Sequence, residues 1–153
     1  MNKIKIAYAY LGFYRDAGGE YAPLALAEEL DRDRFDFEIV TVVPTTSSLG
    51  AAAERTGCPI HALGTRIPRL VEPIAMIRMI AAFYRTFRRL KPDVVQTQSG
   101  FCNQWARLAA SLAGVPVIIG TINFDEPARK WYWRPLLGAG TALPRSRTPI
   151  CGC

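Results

Sequence analysis

Apolar and polar positions along the chain follow two rhythms that take turns. Residues 3–10, Lys-Ile-Lys-Ile-Ala-Tyr-Ala-Tyr, alternate and predict a strand. A glycine-containing turn follows, and residues 20–30 place Leu24, Ala27 and Leu30, with Ala25 and Leu26, at helical spacing. Residues 35–43 are enriched in β-branched and aromatic side chains and predict a second strand, while residues 47–56, opened by serines and stopped by Gly57, predict a short helix. Residues 59–63 give a third strand. From 73 to 90, Ile74, Ile77, Ile80 or Ala81, Tyr84, Phe87 and Leu90 recur every three or four positions, which predicts a long amphipathic helix ended by Lys91-Pro92. Residues 93–97 read as a fourth strand, 103–113 as a helix closed by Gly114, and 115–120 as a fifth strand with the unbroken apolar run expected where helices cover both faces.

Strand and helix thus alternate throughout. That order predicts an α/β, Rossmann-like, doubly wound and mostly parallel sheet of about five or more strands with helices on both faces. Such sheets hold ligands at the carboxyl ends of their strands, so the loops of interest are 11–19, 44–48, 96–103 and 121–127.

Composition narrows the function classes. A chain of 153 residues, half of them apolar, is one domain's worth and able to bury a core. Its longest apolar stretch, 71–84, is broken by Glu72, Pro73 and Arg78, so no membrane span is predicted. The first ten residues read as a strand rather than an export signal, and Cys58, Cys102, Cys151 and Cys153 lack a disulfide-framework spacing, so reduced thiols and a cytoplasmic location are expected. Cys151-Gly-Cys153 falls short of a four-ligand zinc site, and no metal is expected. The formal charge is +6, and residues 128–153 hold five bases with no acid. Residues 16–38 carry eight acids and two arginines, whereas 78–91 carry five bases and no acid. A basic sheath for nucleic acid is not the pattern. The basic helix, with Arg78, Arg85, Arg88, Arg89 and Lys91 beside apolar residues, is suited either to an anionic membrane surface or to a core-facing role with a solvated basic side.

Among the motifs, Gly18-Gly19-Glu20 lies after the first strand and opens the first helix, a place where free N–H groups and the positive helix end favour anions. Glycines there allow positive φ and bring backbone close to a phosphate; a tight strand-to-helix turn with Glu20 complementing the helix dipole is the other reading. The G-x-G-x-x-G fingerprint and its acid after the second strand are missing, as is a phosphate loop with Gly-Lys-Ser/Thr. His61, the sole histidine, alternates with apolar residues on a short strand and is read as structural or surface rather than catalytic. Trp131, Tyr132 and Trp133 beside Arg129 and Lys130 suit sugar stacking, a lipid interface or packing on the sheet equally well.

The order of residues from about Lys3 to Asn123 resembles the N-terminal domain of glycosyltransferase family 4, in Lys-Ile-Ala-Tyr, Gly-Gly-Glu-Tyr, Arg-Phe-Asp-Phe-Glu-Ile-Val-Thr, Leu-Gly-Ala-Ala-Ala-Glu-Arg-Thr-Gly-Cys-Pro-Ile-His, Leu-Lys-Pro-Asp-Val-Val-Gln-Thr-Gln, Ala-Arg-Leu-Ala and Gly-Val-Pro-Val-Ile-Ile-Gly-Thr. The resemblance implies a two-Rossmann (GT-B) enzyme, without an essential metal or cofactor, that moves a sugar from a nucleotide diphosphate donor to a glycan or lipid-linked acceptor held largely by this half. It places Gly18 and Gly19, with Glu20, near the donor diphosphate. Gln98 stands where the family usually has the second histidine of a His-Thr/Ala-His pattern, Gln96 where it often has the first, and Asn123 near a histidine that follows the fifth strand. Glutamine and asparagine bind sugar hydroxyls but take up no proton near neutral pH, so no catalytic residue is assigned. Residues 1–137 are expected to form this domain, incomplete because the family's second Rossmann domain is absent. Residues 138–153, without helical or strand period, read as a tail left by truncation or frameshift. Such a chain is expected to be inactive alone, to work at the inner membrane leaflet when complemented, and to self-associate through uncovered surface. A noncatalytic or partner-dependent binder of a phosphorylated ligand is the alternative.

Overall fold

The computed structural model describes residues 3–13, 18–46, 48–68 and 72–121. Five strands form one sheet: β1 (Ile4–Tyr10), β2 (Phe35–Thr41), β3 (Ile60–Ala62), β4 (Val94–Gln98) and β5 (Val117–Thr121). Their order is β3-β2-β1-β4-β5 and every pairing is parallel, with Ile4 opposite Phe35, Ile6 opposite Val94, Ile39 opposite Ile60 and Val94 opposite Val117. Between them run α1 (Tyr21–Glu29), α2 (Ser48–Arg55), α3 (Pro73–Leu90) and α4 (Gly100–Leu112). The expected doubly wound α/β architecture is the one observed. The expected domain 1–137 is described only to residue 121, and the tail 138–153 lies outside the described residues.

Period-two alternation divides each strand between two cores. Tyr8 and Tyr10 of β1 and Ile39 of β2 face Leu24 and Ala27 of α1 and Ala53 of α2. Ala7 and Ala9, Val40 and Val42, and Val95 face Met79, Phe83 and Phe87 of α3 and Cys102, Ala106, Ala109 and Ala110 of α4. Small alanines on β1 and α4 leave room for Phe83 and Phe87, whose rings stack with centroids 5.7 Å apart. Burying each such ring contributes about 1.5–3 kcal/mol.

Helix boundaries follow local chemistry. Pro73 starts α3, where a missing N–H costs nothing, and Lys91 ends it in the left-handed region at φ 49° with its N–H returning to the Phe87 carbonyl at 2.8 Å. The stripe expected to line that helix is displaced: Met79, Phe83 and Phe87 are the seated residues, while Ile74 and Ile77 stand 67% and 65% exposed. Helix α3 holds more apolar residues than one face can bury, and the i, i+4, i+8 row with the two phenylalanines takes the sheet. Helix α4 begins at Gly100, three residues before its expected start, because Ser99 caps it: the Ser99 hydroxyl accepts from the Cys102 N–H at 3.4 Å.

Candidate functional site

In this strand order the chain leaves β1 toward one edge of the sheet and returns to place β4 on the other side of β1, so the crevice beyond the carboxyl ends of β1 and β4 is the switch point where such folds bind ligands. Two strand-to-helix passages border it. After β1 comes a 3-10 turn, Gly18–Glu20, running directly into α1; after β4, Ser99 leads into α4. Both therefore bring helix amino ends, with the positive end of the helix dipole, to the crevice.

Gly18 and Gly19 belong to a 3-10 turn, and Gly19 is not among the positive-φ residues of the described chain, which are Gly12, Gly57, Gly64, Gly114, Lys91 and Ser99. Freedom of φ is thus not what glycine supplies at position 19; the missing Cβ, which permits close approach, remains. Glu20 is the N-cap residue of α1, without a side-chain cap bond, and is 1% exposed.

Gln98, the last residue of β4, is 1% exposed. Its Oε1 accepts the Tyr8 hydroxyl, and its Nε2 donates to the Gly19 carbonyl at 3.1 Å, across 79 residues of sequence. Burial, with smaller contributions from Tyr10 and Cys102, pushes the Tyr8 phenol well above its ordinary range, so it remains a donor. Gln96 faces the same way one pleat earlier and donates to the Thr121 hydroxyl at 3.2 Å. On the opposite face Thr97 donates to Asn103 Oδ1 at 2.6 Å, and Asn103 Nδ2 donates to the Thr121 carbonyl at 2.9 Å, which fixes the end of β5. Arg107, half-buried and shifted below its ordinary pKa by that burial, lies along Gly120, where an added Cβ would come within 3.7 Å of its Nη1.

Of the expected site residues, Gly18, Gly19, Glu20 and Gln98 come together at the crevice, and Asn123 lies outside the described residues. Tyr8 and Ser99 were not singled out from sequence. Tyr8 reads as one more apolar strand residue, although Gln96 and Gln98 on a strand due to be buried on both faces signal that a polar partner is needed. Ser99 holds φ 81° and ψ 148°, a conformation that costs a side-chain-bearing residue energy and gathers at functional sites. His61, read as structural, pairs through Nε2 with Glu38 Oε2 at 2.6 Å, away from the crevice. Both described cysteines are free and buried, and burial raises Cys58 to about 11 and Cys102 to about 12, so neither is a thiolate nucleophile near neutral pH. Among the described residues no group of three or more His, Cys, Asp or Glu is placed to hold a metal ion, and no helix is long and apolar enough to cross a membrane.

A five-stranded parallel sheet in this order, with helices on both faces, defines a doubly wound, Rossmann-like α/β domain. A family model, the glycosyl transferase 4-like domain, matches residues 17–148, and the chain belongs to that family. No curated protein matches the chain. Among solved structures it is similar to MurG of Acinetobacter baumannii, with TM-score 0.58 and 21% identity over 79% of this chain and 36% of that one. It is similar also to a glycosyltransferase of Rickettsia africae, with TM-score 0.63 and 16% identity over 90% and 35% of the two chains. A UDP-GlcNAc 2-epimerase of Neisseria meningitidis, bound to UDP-GlcNAc, gives TM-score 0.61 and 17% identity over 90% and 38%. The chain therefore spans a little over a third of the length of these neighbours, and at such identities the likeness is one of fold.

Proposed function

We propose that this chain is the acceptor-side half of a GT-B glycosyltransferase, transferring a sugar from a nucleotide diphosphate-sugar to a glycan or lipid-linked acceptor. What supports this reading is the switch point between β1 and β4, bordered by the Gly18–Glu20 turn at the positive end of α1, where Gly19 has no Cβ to hold a diphosphate off. Gly18, Gly19 and Glu20 border the donor diphosphate in this reading, and Asn123, two residues beyond β5 in sequence, is assigned to substrate binding. Bond cleavage then rests on position and electrostatics, because no imidazole stands at Gln96 or Gln98 to move a proton, and the resemblance to the family implies no metal or cofactor. Half a cleft neither excludes water nor orients both reactants, and orientation alone is worth up to about 7–11 kcal/mol of barrier, so the chain by itself is inactive. The reading places the enzyme in the cytoplasm at the inner leaflet, supported by the outward Ile74 and Ile77 of α3 next to the exposed Arg78.

The test offers radiolabelled nucleotide-sugars to the purified chain alone and to the chain mixed with a GT-B donor domain. No transfer is expected from the chain alone, and transfer by the mixture is expected to vanish in Gly19→Val while circular dichroism stays unchanged. Acceptor-dependent release of nucleotide diphosphate by a clean monomer overturns the half-enzyme reading. Equal turnover by Gly19→Val removes the turn from diphosphate binding.

A further inference from the structure

Gln98 occupies a position from which a sugar hydroxyl could be bound, yet its amide is already engaged at both ends. Tyr8 donates to Oε1, and Nε2 donates to the Gly19 carbonyl at 3.1 Å, with Tyr8 and Gln98 each 1% exposed. We infer that Gln98 is a positioning residue for the glycine turn: clamped by Tyr8, it fixes the orientation of the peptide that joins the turn to α1. The inference rests on the diphosphate reading only for what the positioned turn is used for.

The argument follows from peptide geometry. The Gly19 carbonyl and the Glu20 N–H belong to one planar trans peptide and point in opposite directions. Holding the carbonyl toward Gln98 therefore holds the Glu20 N–H away from it. Glu20 is the N-cap residue of α1, so this peptide is the last one before the helix and sets how the helix start is aimed. A glutamine amide can rotate by half a turn and exchange its oxygen and nitrogen, which would set Oε1 against the Gly19 carbonyl. Tyr8 opposes this, because the rotated amide would leave its hydroxyl proton, which burial keeps on, without an acceptor. The clamp thus needs one acceptor and one donor at a fixed span. A carboxylate in the same shape supplies two acceptors and no donor.

The experiment measures amide hydrogen exchange, residue by residue, on the full chain and on Gln98→Glu and Tyr8→Phe, across about pH 5 to pH 9 with intrinsic rates divided out. In Gln98→Glu, exchange at Gly19, Glu20 and Tyr21 is expected to rise about tenfold or more where the introduced carboxyl is ionised, and to return toward the parent where it is protonated and can donate again. The parent shows no such titration, and the amides of β1 and α3 keep parental protection in both forms. Tyr8→Phe, which frees the amide to rotate, is expected to give a smaller rise without the titration. A purely structural defect would loosen β1 and β4 with the turn and would not recover on protonation. Turn exchange in Gln98→Glu that matches the parent at every pH overturns the inference. If that variant does not fold, parental turn exchange in Tyr8→Phe overturns it instead. Sodium pyrophosphate is titrated into the parent in parallel: perturbed Gly18–Tyr21 amides support both readings, whereas no binding together with the exchange response leaves the positioning role standing and removes the diphosphate one.

Discussion

The two ends of this sheet bury polar groups by opposite means. Toward the carboxyl end, on the α1 face, Tyr8, Gln98 and the Gly19 carbonyl form a neutral chain closed from solvent. Toward the amino end, on the α3 face, Glu38 accepts from Lys5 Nζ at 2.9 Å and from His61 Nε2 at 2.6 Å, and the Lys5 and His61 side chains keep 30% and 26% of their exposure. The neutral chain couples two segments that are distant in sequence and has nothing to titrate in the physiological range. The charged cluster ties β1, β2 and β3 together and answers to pH, but it stands away from the crevice. Position is thus held by groups that cannot change charge, and charge is kept where movement would matter least.

The largest effect is expected from breaking the neutral chain with an apolar residue of similar size. Gln98→Leu leaves the Tyr8 hydroxyl without its acceptor and the Gly19 carbonyl without its donor. Each buried polar group left unpaired costs about 1–3 kcal/mol, so a loss of about 2–4 kcal/mol in unfolding free energy is expected from urea denaturation. A loss below about 0.5 kcal/mol would mean that water or a rotated tyrosine takes over, and the contrast between the two ends would fail.

An intermediate effect belongs to Glu38. Burial pushes its carboxyl up, but the hydrogen bonds and charges of Lys5 and His61 outweigh burial and hold it below the usual glutamate range. A carboxyl lowered on folding stabilises above its unfolded pKa, and that stability is lost as pH falls through the folded value. Lys5 is raised, mainly by its bond to Glu38 against some desolvation, so its contribution is complete below the unfolded lysine pKa and is lost as pH rises through the folded one. The cluster therefore supports the fold between about pH 4 and pH 10.5. Glu38→Gln is expected to cost about 1–2 kcal/mol at neutral pH and to flatten the acid limb of a stability-against-pH curve, while Gln98→Leu lowers the curve without changing its shape. An acid limb of unchanged slope in Glu38→Gln would assign it to other carboxylates.

The same contrast explains what could be read from the sequence. Strand and helix order was legible because each strand buries its own apolar row and each helix its own stripe, a local signal repeated at every element. Pro73 and Lys91-Pro92 marked the ends of α3 outright. The start of α4 was missed because its cap, Ser99, needs a left-handed backbone that nothing in Gln-Ser-Gly announces. The side of α3 that meets the sheet was misread because both candidate stripes are apolar, and only the size of Phe83 and Phe87 against the alanines of β1 and α4 decides between them. At the crevice, Gly18 and Gly19 were legible from their place between the first strand and the first helix, and Gln98 through the resemblance, as the residue standing where the family usually has a histidine. Their bond to one another was not, because it joins positions 79 residues apart and passes through a tyrosine that looks like core.

The smallest effect is expected at the outer edge of the charged cluster. Arg89, on the last turn of α3, brings Nη2 to 3.5 Å from His61 Nδ1. With Nε2 of His61 directed at Glu38, Nδ1 is the ring nitrogen left to face Arg89. The contact is long and open to solvent, and an exposed contact of this kind is worth about 0–1 kcal/mol before the entropy of ordering a long side chain is set against it. Arg89→Ala is therefore expected to change stability by less than about 0.5 kcal/mol and to leave the acid limb assigned to Glu38 where it is. A larger loss, or an acid limb moved by the substitution, would extend the charged cluster from the sheet, where Lys5 also lies 3.6 Å from Asp36, onto α3.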